Sequence, residues 1–351
     1  MTELWDTVVG QDEAVERLRR AADRPVHAYL LVGPPGSTKD EAARAFAAAL
    51  LAGHEPGGRD ARLALAGTHP DIREVLRTGP AISVEQAREV VRLAALAPVE
   101  GSRKVLILHE LHLLRPEGAG LLLKTIEEPP ESTYFVALAD FIPPELVTIA
   151  SRCVRVDFRA IPDDVLMDRL VAEGTDLDVA RSAAVSARGD LTRARILAVD
   201  PDLASRRAAF AALPERLDGT GAMVIDVAAE LLDLIEQAAG PLAARHTVEA
   251  AELDARIELL GERGSGRKLL EERHRRELRR HRTDELRSGL GVLAAAYRDL
   301  LARSVEDTSG HSRTGAYVAA VHRINDAAEA LERNPNESLL LQALLWSLPA
   351  A

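Results

Sequence analysis

The chain has 351 residues, 44 of them basic and 55 acidic, which gives a formal net charge of −11. Hydrophobic residues make up 47% of it, enough to form folded cores, so the composition excludes a disordered protein. The single cysteine, Cys153, excludes an internal disulfide and a zinc module built from several cysteines.

The sequence also indicates where the protein is located and which kinds of partner it can bind. It shows neither a signal peptide nor an apolar run near the ~18 residues that span a bilayer, so we expect a cytoplasmic protein without membrane contact. The acidic balance argues against a surface that is basic throughout. It leaves room for a local patch that binds nucleic acid.

Residues 1–160 alternate between helical and strand-like segments. Amphipathic patterns predict helices at residues 12–22, 40–51 and 83–96, the last with Ser83 as its N-cap. Apolar or alternating runs predict strands at residues 29–32, 72–76, 105–108, 134–138 and 154–158. Because buried strands separated by helices form parallel sheets covered on both faces, we predict an α/β domain here.

The strand patterns stop after Pro162. Residues 163–200 predict short helices broken by Gly174 and Gly189, and the rest of the chain is helical. One helix shows apolar spacings of four and three residues, typical of packing against other helices, at Leu286, Leu290, Leu293, Tyr297 and Leu300.

The last part of the chain predicts loops at residues 261–266 and 307–315 and a buried final helix at residues 339–348. We therefore expect a small helical domain over residues 161–205 and an all-α domain over residues 206–351 after the α/β domain of residues 1–160.

A degenerate phosphate loop follows the first predicted strand. Gly33-Pro34-Pro35-Gly36-Ser37-Thr38-Lys39-Asp40 has Gly33, Gly36 and Lys39 in the strand–loop–helix context of a nucleotide-binding loop. Thr38 replaces the glycine before the lysine, and a β-branched residue resists the positive φ needed there. Asp40 replaces the hydroxyl residue that binds Mg²⁺ and adds a negative charge beside a triphosphate.

The second metal-binding element is altered as well. The apolar strand at residues 105–108 should end in an aspartate, but His109 and Glu110 follow it. Imidazole is a poor ligand for Mg²⁺, whereas Glu110 stands where a glutamate could polarise water. These residues predict a nucleotide-binding scaffold on which we expect neither hydrolysis nor tight binding of Mg-ATP.

Four further segments carry a family resemblance. They are LLLKTIEEPP at residues 121–130, Ser151-Arg152-Cys153, Trp5 with Val9-Gly10-Gln11, and His69-Pro70-Asp71. In this order they resemble segments of bacterial DNA polymerase III clamp-loader subunits, which are AAA+ ATPases. The resemblance covers roughly residues 1–160. It implies an AAA+ domain with a P-loop and a parallel sheet, then a helical lid domain and a helical collar domain that oligomerises.

The resemblance also implies a role for the Ser151-Arg152-Cys153 motif. An intact motif beside a broken phosphate loop resembles the non-hydrolysing delta-prime type. There Arg152, with Ser151, would act as an arginine finger on ATP bound to a neighbouring gamma/tau subunit. A guanidinium supplied in trans stabilises charge on the γ-phosphate and is worth ~10³–10⁵ in rate. Without the motif, Arg152 would be interpreted as an ordinary surface arginine before an edge strand.

The implied partners are gamma/tau and delta subunits, the sliding clamp and primed DNA. We expect no cofactor: the stretch of residues 52–68, where many relatives carry a zinc module, has no cysteine, and no histidine spacing indicates a metal. Two more departures are Gly120, where relatives usually have asparagine, and Asp140, at the polar sensor position. An acid at that position would repel a γ-phosphate.

Other candidates keep two interpretations each. The segment 273–282 is either a phosphate-contacting strip or a solvated or partner-facing helix, and its candidate residues are Arg273, Arg275, Arg276, Arg279 and Arg280. Arg193 is either a remnant of the second sensor arginine or a helix-surface residue. Lys124 is either a DNA contact or a salt-bridge partner of Glu127 or Glu128. Cys153 is interpreted as a small packed side chain.

The sequence therefore predicts a catalytically silent, delta-prime-like stator that supplies Arg152 in trans. Two alternatives stay open: a gamma/tau-like ATPase that tolerates an unusual loop, and a stand-alone DNA-binding AAA+ protein that uses the arginine-rich segment.

Overall fold

The computed structural model describes residues 4–52, 58–77, 81–260, 265–306, 311–331 and 335–350. The chain separates into two compact units, Met1–Arg195 and Ile196–Ala351. The three-domain division expected from the sequence stays a prediction.

The first unit is built on a five-stranded parallel sheet. Its strands are β1 (Ala28–Val32), β2 (Ile72–Val75), β3 (Lys104–Leu108), β4 (Thr133–Ala139) and β5 (Val154–Asp157). They lie in the order β2-β3-β4-β1-β5, all parallel. In the register of β1, Leu30 pairs with Ala137 on one side and Arg155 on the other. The predicted α/β class with a parallel sheet is confirmed.

Helices cover both faces of this sheet. They are α1 (Asp12–Asp23), α2 (Lys39–Ala52), α3 (Arg59–Leu65), α4 (Val84–Ala95), α5 (Pro116–Glu127) and α6 (Val147–Ala150). Helices α7 (Asp163–Ala172) and α8 (Leu177–Ala187) follow the sheet and pack against each other. Short 3₁₀ turns occur at Leu111–Leu113 and Pro144–Leu146. Side chains alternate along each strand, so Tyr29 and Leu31 join one buried cluster while Leu30 joins the other.

Local chemistry explains where these helices begin. The side chain of Ser83 accepts a hydrogen bond from the backbone N–H of Gln86, and the Gln86 side chain accepts from the N–H of Ser83, which forms a capping box. Ser83 is thus the N-cap that the sequence predicts. Helix α3 was not predicted; it lies in the cysteine-free stretch of residues 52–68, of which residues 53–57 lie outside the described part.

Helix α9 (Leu191–Ala198) crosses into the second unit, which is helical over its described residues. Its helices are α10 (Leu203–Ala211), α11 (Leu213–Arg216), α12 (Gly221–Gln237), α13 (Gly240–Leu260), α14 (Ser265–Glu306), α15 (His311–Ala330) and α16 (Glu337–Ser347). Leu286, Leu290, Leu293 and Tyr297 of α14 are fully buried, as their spacing predicts.

The expectation for the last helix is right for one face only. Leu341, Leu344 and Leu345 are buried, but Leu339 and Trp346 are each 63% exposed. Of the predicted loops, residues 265–266 and 311–315 are helical, and residues 261–264 and 307–310 lie outside the described part. None of the helices described combines the length and the apolar character needed to cross a membrane.

Candidate nucleotide site and interface arginine

The degenerate loop lies at the carboxyl end of β1 and keeps the shape of a phosphate loop. The Gly33 N–H donates to the carbonyl of Ala139 at 3.0 Å, and a Cβ on Gly33 would lie 2.5 Å from the carbonyl oxygen of Phe158. Gly36 has φ +66°. Both positions therefore require glycine, one for close approach and one for its backbone conformation.

The expectation that Thr38 avoids positive φ is wrong. Thr38 has φ 62°, which costs a β-branched residue about 1–2 kcal/mol. Its buried hydroxyl compensates, because Oγ1 accepts a hydrogen bond from the Val9 N–H at 3.2 Å and faces the Val9 carbonyl at 3.4 Å. Thr38 thus joins the N-terminal segment to the loop.

The loop lysine is already ion-paired. Lys39 is almost fully buried, and its Nζ donates to Asp140 Oδ1 at 2.8 Å and to the carbonyl of Pro34 at 3.1 Å. Asp140 is the acid at the predicted sensor position. A phosphate at this lysine would compete with the Asp140 carboxylate for the ammonium group.

A charged network occupies the two positions that hold Mg²⁺ in an intact site. His109 Nδ1 donates to Asp40 Oδ1 at 3.0 Å, and its Nε2 donates to Glu74 Oε2 at 3.0 Å. Arg44 also donates to both oxygens of Glu74, at 2.6 and 2.9 Å. Sequence reasoning missed Glu74 and Arg44, which follow no motif.

The pKa values follow from this geometry. Burial alone would lower the pKa of His109, but its hydrogen bonds and charge attraction to Asp40 and Glu74 raise it to about 9. Burial alone would raise the pKa of Glu74, but His109 and Arg44 lower it to about 2. An imidazolium therefore lies between two carboxylates near neutral pH.

Glu110 is also engaged. It adopts φ 51°, and its carboxylate accepts bonds from Arg77 Nε at 2.6 Å and from a terminal Arg77 nitrogen at 3.0 Å. The side chain of Arg77 is largely buried. Glu110 would have to leave this bidentate pair before it could act on a water molecule.

The donor set does not fit a magnesium triphosphate. Lys39 is paired with the Asp140 carboxylate, and Asp40 stands where an intact site has the hydroxyl residue that binds Mg²⁺. A protonated histidine, His109, stands where an intact site has the metal-binding aspartate. In the described residues, no group of three or more His, Cys, Asp or Glu side chains could hold a metal ion. We derive no catalytic step through this site.

Arg193 packs inside the helices that follow the sheet. Its Nε donates to the carbonyl of Ser186 at 3.2 Å, and its backbone N–H donates to Asp190 Oδ1 at 2.9 Å. The Leu191 N–H donates to the carbonyl of Gly36 at 3.1 Å. The start of α9 is thereby fastened to the loop, and Arg193 is a buried residue, contrary to the helix-surface interpretation.

Arg152 lies at the surface with a defined set of contacts. Its Nε donates to Glu127 Oε1, and one terminal nitrogen donates to the carbonyl of Thr148 at 3.0 Å and to Ser151 Oγ at 3.1 Å. The side chain is 39% exposed. Ser151 itself bonds back to the Thr148 carbonyl at 2.8 Å.

Three other candidates near Arg152 in the sequence, Lys124, Gly120 and Cys153, differ in their exposure and contacts. Lys124 is exposed, and among the described residues it forms no ion pair with Glu127 or Glu128. A Cβ on Gly120 would meet nothing within 4 Å. Cys153 is half-buried against the sheet, and burial raises its thiol pKa to about 11, which fits a packed, unreactive side chain.

The arginine-rich segment of α14 contributes to a symmetric cluster with α13. The pattern Arg-His-x-x-Glu occurs at residues 245–249 and again at 273–277. His246 donates to Glu277 at 2.9 Å and His274 donates to Glu249 at 3.0 Å, while the two rings stack 3.8 Å apart. Arg245 pairs with Glu277, and Arg273 pairs with Glu249.

Some arginines of the segment 273–282 make contacts within the helices. Arg273 faces α13, and Arg280 lies 3.6 Å from Asp284 of its own helix, whereas Arg275 and Arg279 are exposed one helical turn apart. Arg276 is half-buried. The contacts of Arg273 favour a packed helix for that residue, and the role of the outward arginines stays a prediction.

Two family segments also have structural roles. The Gln11 side chain donates to the carbonyl of Arg159 at 2.7 Å and accepts from its N–H at 3.1 Å, which joins the N-terminal segment to the end of β5. Asp71 accepts from the N–H groups of Val99, Glu100 and Gly101 before β3.

Residues 10–162 match the family described as DNA polymerase III, delta subunit. The N-terminal region is related to DNA polymerase III subunits. The resemblance predicted from the sequence is confirmed for this region.

The relatives include both types of subunit. The chain is 34% identical over 174 residues to the tau subunit of Bacillus subtilis, covering 47% of this chain and 31% of that protein. It is 36% identical over 138 residues to the delta-prime subunit of Pseudomonas aeruginosa, covering 37% and 42%. The chain thus spans less than half the length of these relatives.

Among solved structures, a gamma subunit-related protein from Thermotoga maritima aligns with 95% of this chain and 97% of that one, at 17% identity and a TM-score of 0.46.

Proposed function

We propose that this chain is a catalytically silent, delta-prime-type subunit of a DNA polymerase III clamp loader, and that it supplies Arg152 to ATP on a neighbouring subunit. One contrast carries the proposal. The charged residues at the degenerate loop are paired within the chain, whereas Arg152 lies at the surface on a motif-bearing segment.

The silent half of the proposal rests on competing ion pairs. Binding a triphosphate would require Asp140 to leave Lys39, and binding Mg²⁺ would require His109 to leave Asp40. Each displacement exposes a buried or half-buried charge without its partner, which costs several kcal/mol. Lys39, Asp40 and His109 already have charged partners within the chain, so a magnesium nucleotide would have to replace those pairs.

The other half rests on what Arg152 can reach. A guanidinium acts on a γ-phosphate as a fork of donors, so it must lie at the surface and be held in place. Arg152 meets both conditions, and Val147, five residues earlier, is an exposed apolar residue of the kind that protein interfaces cover. The proposed partners are gamma/tau and delta subunits, and through them the sliding clamp and primed DNA.

The test is the Arg152→Ala variant in a loader reconstituted with the partner subunits of the same organism. We expect ATPase stimulated by DNA and clamp to fall about tenfold or more, because a trans arginine acts only on the transition state. Complex assembly, measured by size-exclusion chromatography, should be unchanged.

The matched control is Arg155→Ala, which removes an exposed arginine that pairs with Asp157 on β5. It should leave the ATPase at the wild-type level. An Arg152→Ala loader with wild-type ATPase would refute the arginine-finger role.

The runner-up is a gamma/tau-like ATPase, which the tau relative favours. It predicts that the isolated chain binds ATP. We expect no binding at micromolar nucleotide by isothermal titration calorimetry with Mg²⁺ present, because Lys39 and Asp40 are already paired. Micromolar binding followed by turnover would favour the ATPase and overturn the silent subunit.

A further inference from the structure

Two elements of the first unit meet at an exposed ion pair. Glu127 is the last residue of α5, and Arg152 follows α6, which packs against α5. The two residues are 25 positions apart, and each side chain is about 40% exposed. No sequence motif links them, because the pair exists only once α5 and α6 are packed together.

The contacts of Arg152 fix the plane of its guanidinium. Glu127 accepts from Nε, on the stem side of the group, while Thr148 and Ser151 accept from one terminal nitrogen. Nε and one terminal nitrogen of this planar, five-donor group therefore donate within the chain, from two sides of the group. Among the described residues the second terminal nitrogen has no hydrogen-bond acceptor, so a phosphate oxygen could accept from it.

The position of Glu127 is unfavourable on local grounds. A carboxylate at the C-terminal end of a helix faces the negative end of the helix dipole, and Glu128 adds a second one. Pairing with Arg152 offsets this repulsion. Lys124, one turn back on α5, lies where a helix would ordinarily supply a partner for Glu127, yet the glutamate pairs with Arg152 instead.

We infer that Glu127 is a positioning residue that holds the Arg152 guanidinium ready for a phosphate on a partner subunit. This inference rests on the proposed function. An exposed ion pair is weak, so a phosphate can share or replace it without a large cost. A long side chain held in advance loses less entropy when it engages, and its reaction is faster for that reason.

The first test uses the free chain. Phenylglyoxal modifies accessible guanidinium groups, and its rate at Arg152 can be followed by mass spectrometry of the peptide. We expect Glu127→Ala to raise that rate at least threefold and to leave the rate at Arg155 unchanged. The control Glu128→Ala removes the neighbouring exposed carboxylate and should change neither rate.

The second test uses the reconstituted loader. We expect Glu127→Ala to lower the kcat of stimulated ATPase about three- to tenfold with the KM for ATP unchanged, since positioning acts after binding. Glu127→Gln keeps an acceptor for Nε and should restore most of the rate. Adding Glu127→Ala to Arg152→Ala should cause no further loss, because the two residues act in one step.

The outcomes separate this inference from the proposed function. If Arg152→Ala lowers the ATPase but Glu127→Ala does not, the positioning role is wrong and the arginine finger stands. If Glu127→Ala leaves the phenylglyoxal rate at Arg152 unchanged, Glu127 does not hold the arginine. If Arg152→Ala itself has no effect, the arginine finger and the positioning role both fail.

Discussion

His109 sets the charge balance of the degenerate site. It lies almost fully buried between Asp40 and Glu74, and both ring nitrogens donate to carboxylates. The positive imidazolium thus offsets the repulsion between the two carboxylates.

This arrangement predicts a pH-dependent contribution to stability. Because the pKa of His109 is raised to about 9, its stabilising effect is complete below about pH 6.5 and disappears as the pH rises through about 9. We expect His109→Gln to lower the free energy of unfolding by on the order of 2 kcal/mol at pH 6. The difference from wild type should shrink by pH 9.5.

Urea unfolding at both pH values measures this difference. Glu74 does not interfere, because its pKa of about 2 confines its own titration to acid solutions. A difference between wild type and variant that is equal at pH 6 and pH 9.5 would contradict a protonated His109.

Lys104, the first residue of β3, holds the end of helix α4. Its buried ammonium group donates to the carbonyls of Leu93, at 2.6 Å, and Ala94, at 3.1 Å, at the end of α4. The last carbonyls of a helix lack the amide partner that a further helical turn would supply, and a cation there also suits the helix dipole. Burial lowers the pKa of this lysine.

At the scale of elements, α10 packs onto α14 through a glycine. A Cβ on Gly289 would lie 2.4 Å from the ring of Phe210, and that ring is buried. Gly289 is therefore a contact point between the two helices rather than a flexible position. Such a close approach gains dispersion contacts across a wide aromatic face.

Gly289→Ala should destabilise the chain by about 1–3 kcal/mol, because overpacking outweighs the gain of up to ~1 kcal/mol in helix propensity. Gly315→Ala is the matched control: it lies in α15 with open space around its Cβ, so it should stabilise by about 0.5–1 kcal/mol. Thermal unfolding of both variants gives the comparison. If both substitutions stabilise the chain, the Phe210 ring can move away from a new Cβ without a loss of stability, and the predicted overpacking is wrong.

The ion pairs and hydrogen bonds between α13 and α14 are a second contact between helices. Each helix contributes one arginine, one histidine and one glutamate, and each glutamate accepts hydrogen bonds from the arginine and the histidine of the opposite helix. The repeated spacing matters because residues at i and i+3 or i+4 share a helix face. The repetition sets the register of two antiparallel helices through polar contacts.

Across the whole molecule, the sequence predicts elements better than it predicts pairings. Strands β1, β3 and β4 each contain a run of four or more apolar residues, which is typical of a parallel sheet covered on both faces, so they could be recognised from the sequence. The Ser83 cap could be predicted for the same reason, since its partner Gln86 is three residues away.

The features that escaped prediction depend on distant partners. Thr38 tolerates positive φ because Val9, 29 residues earlier, supplies hydrogen bonds to its hydroxyl. Glu74 binds His109 across neighbouring strands, and Glu127 binds Arg152 across two helices. Such pairs form only when distant parts of the chain pack together, so no local pattern in the sequence predicts them.

One contact near the loop has a mechanical consequence. The Leu191 N–H binds the Gly36 carbonyl, and the Asp190 carboxylate fills the space where a Gly36 side chain would lie. The backbone bond and the Asp190 side chain hold the start of α9 against the phosphate loop, so a displacement of this helix would also displace the loop.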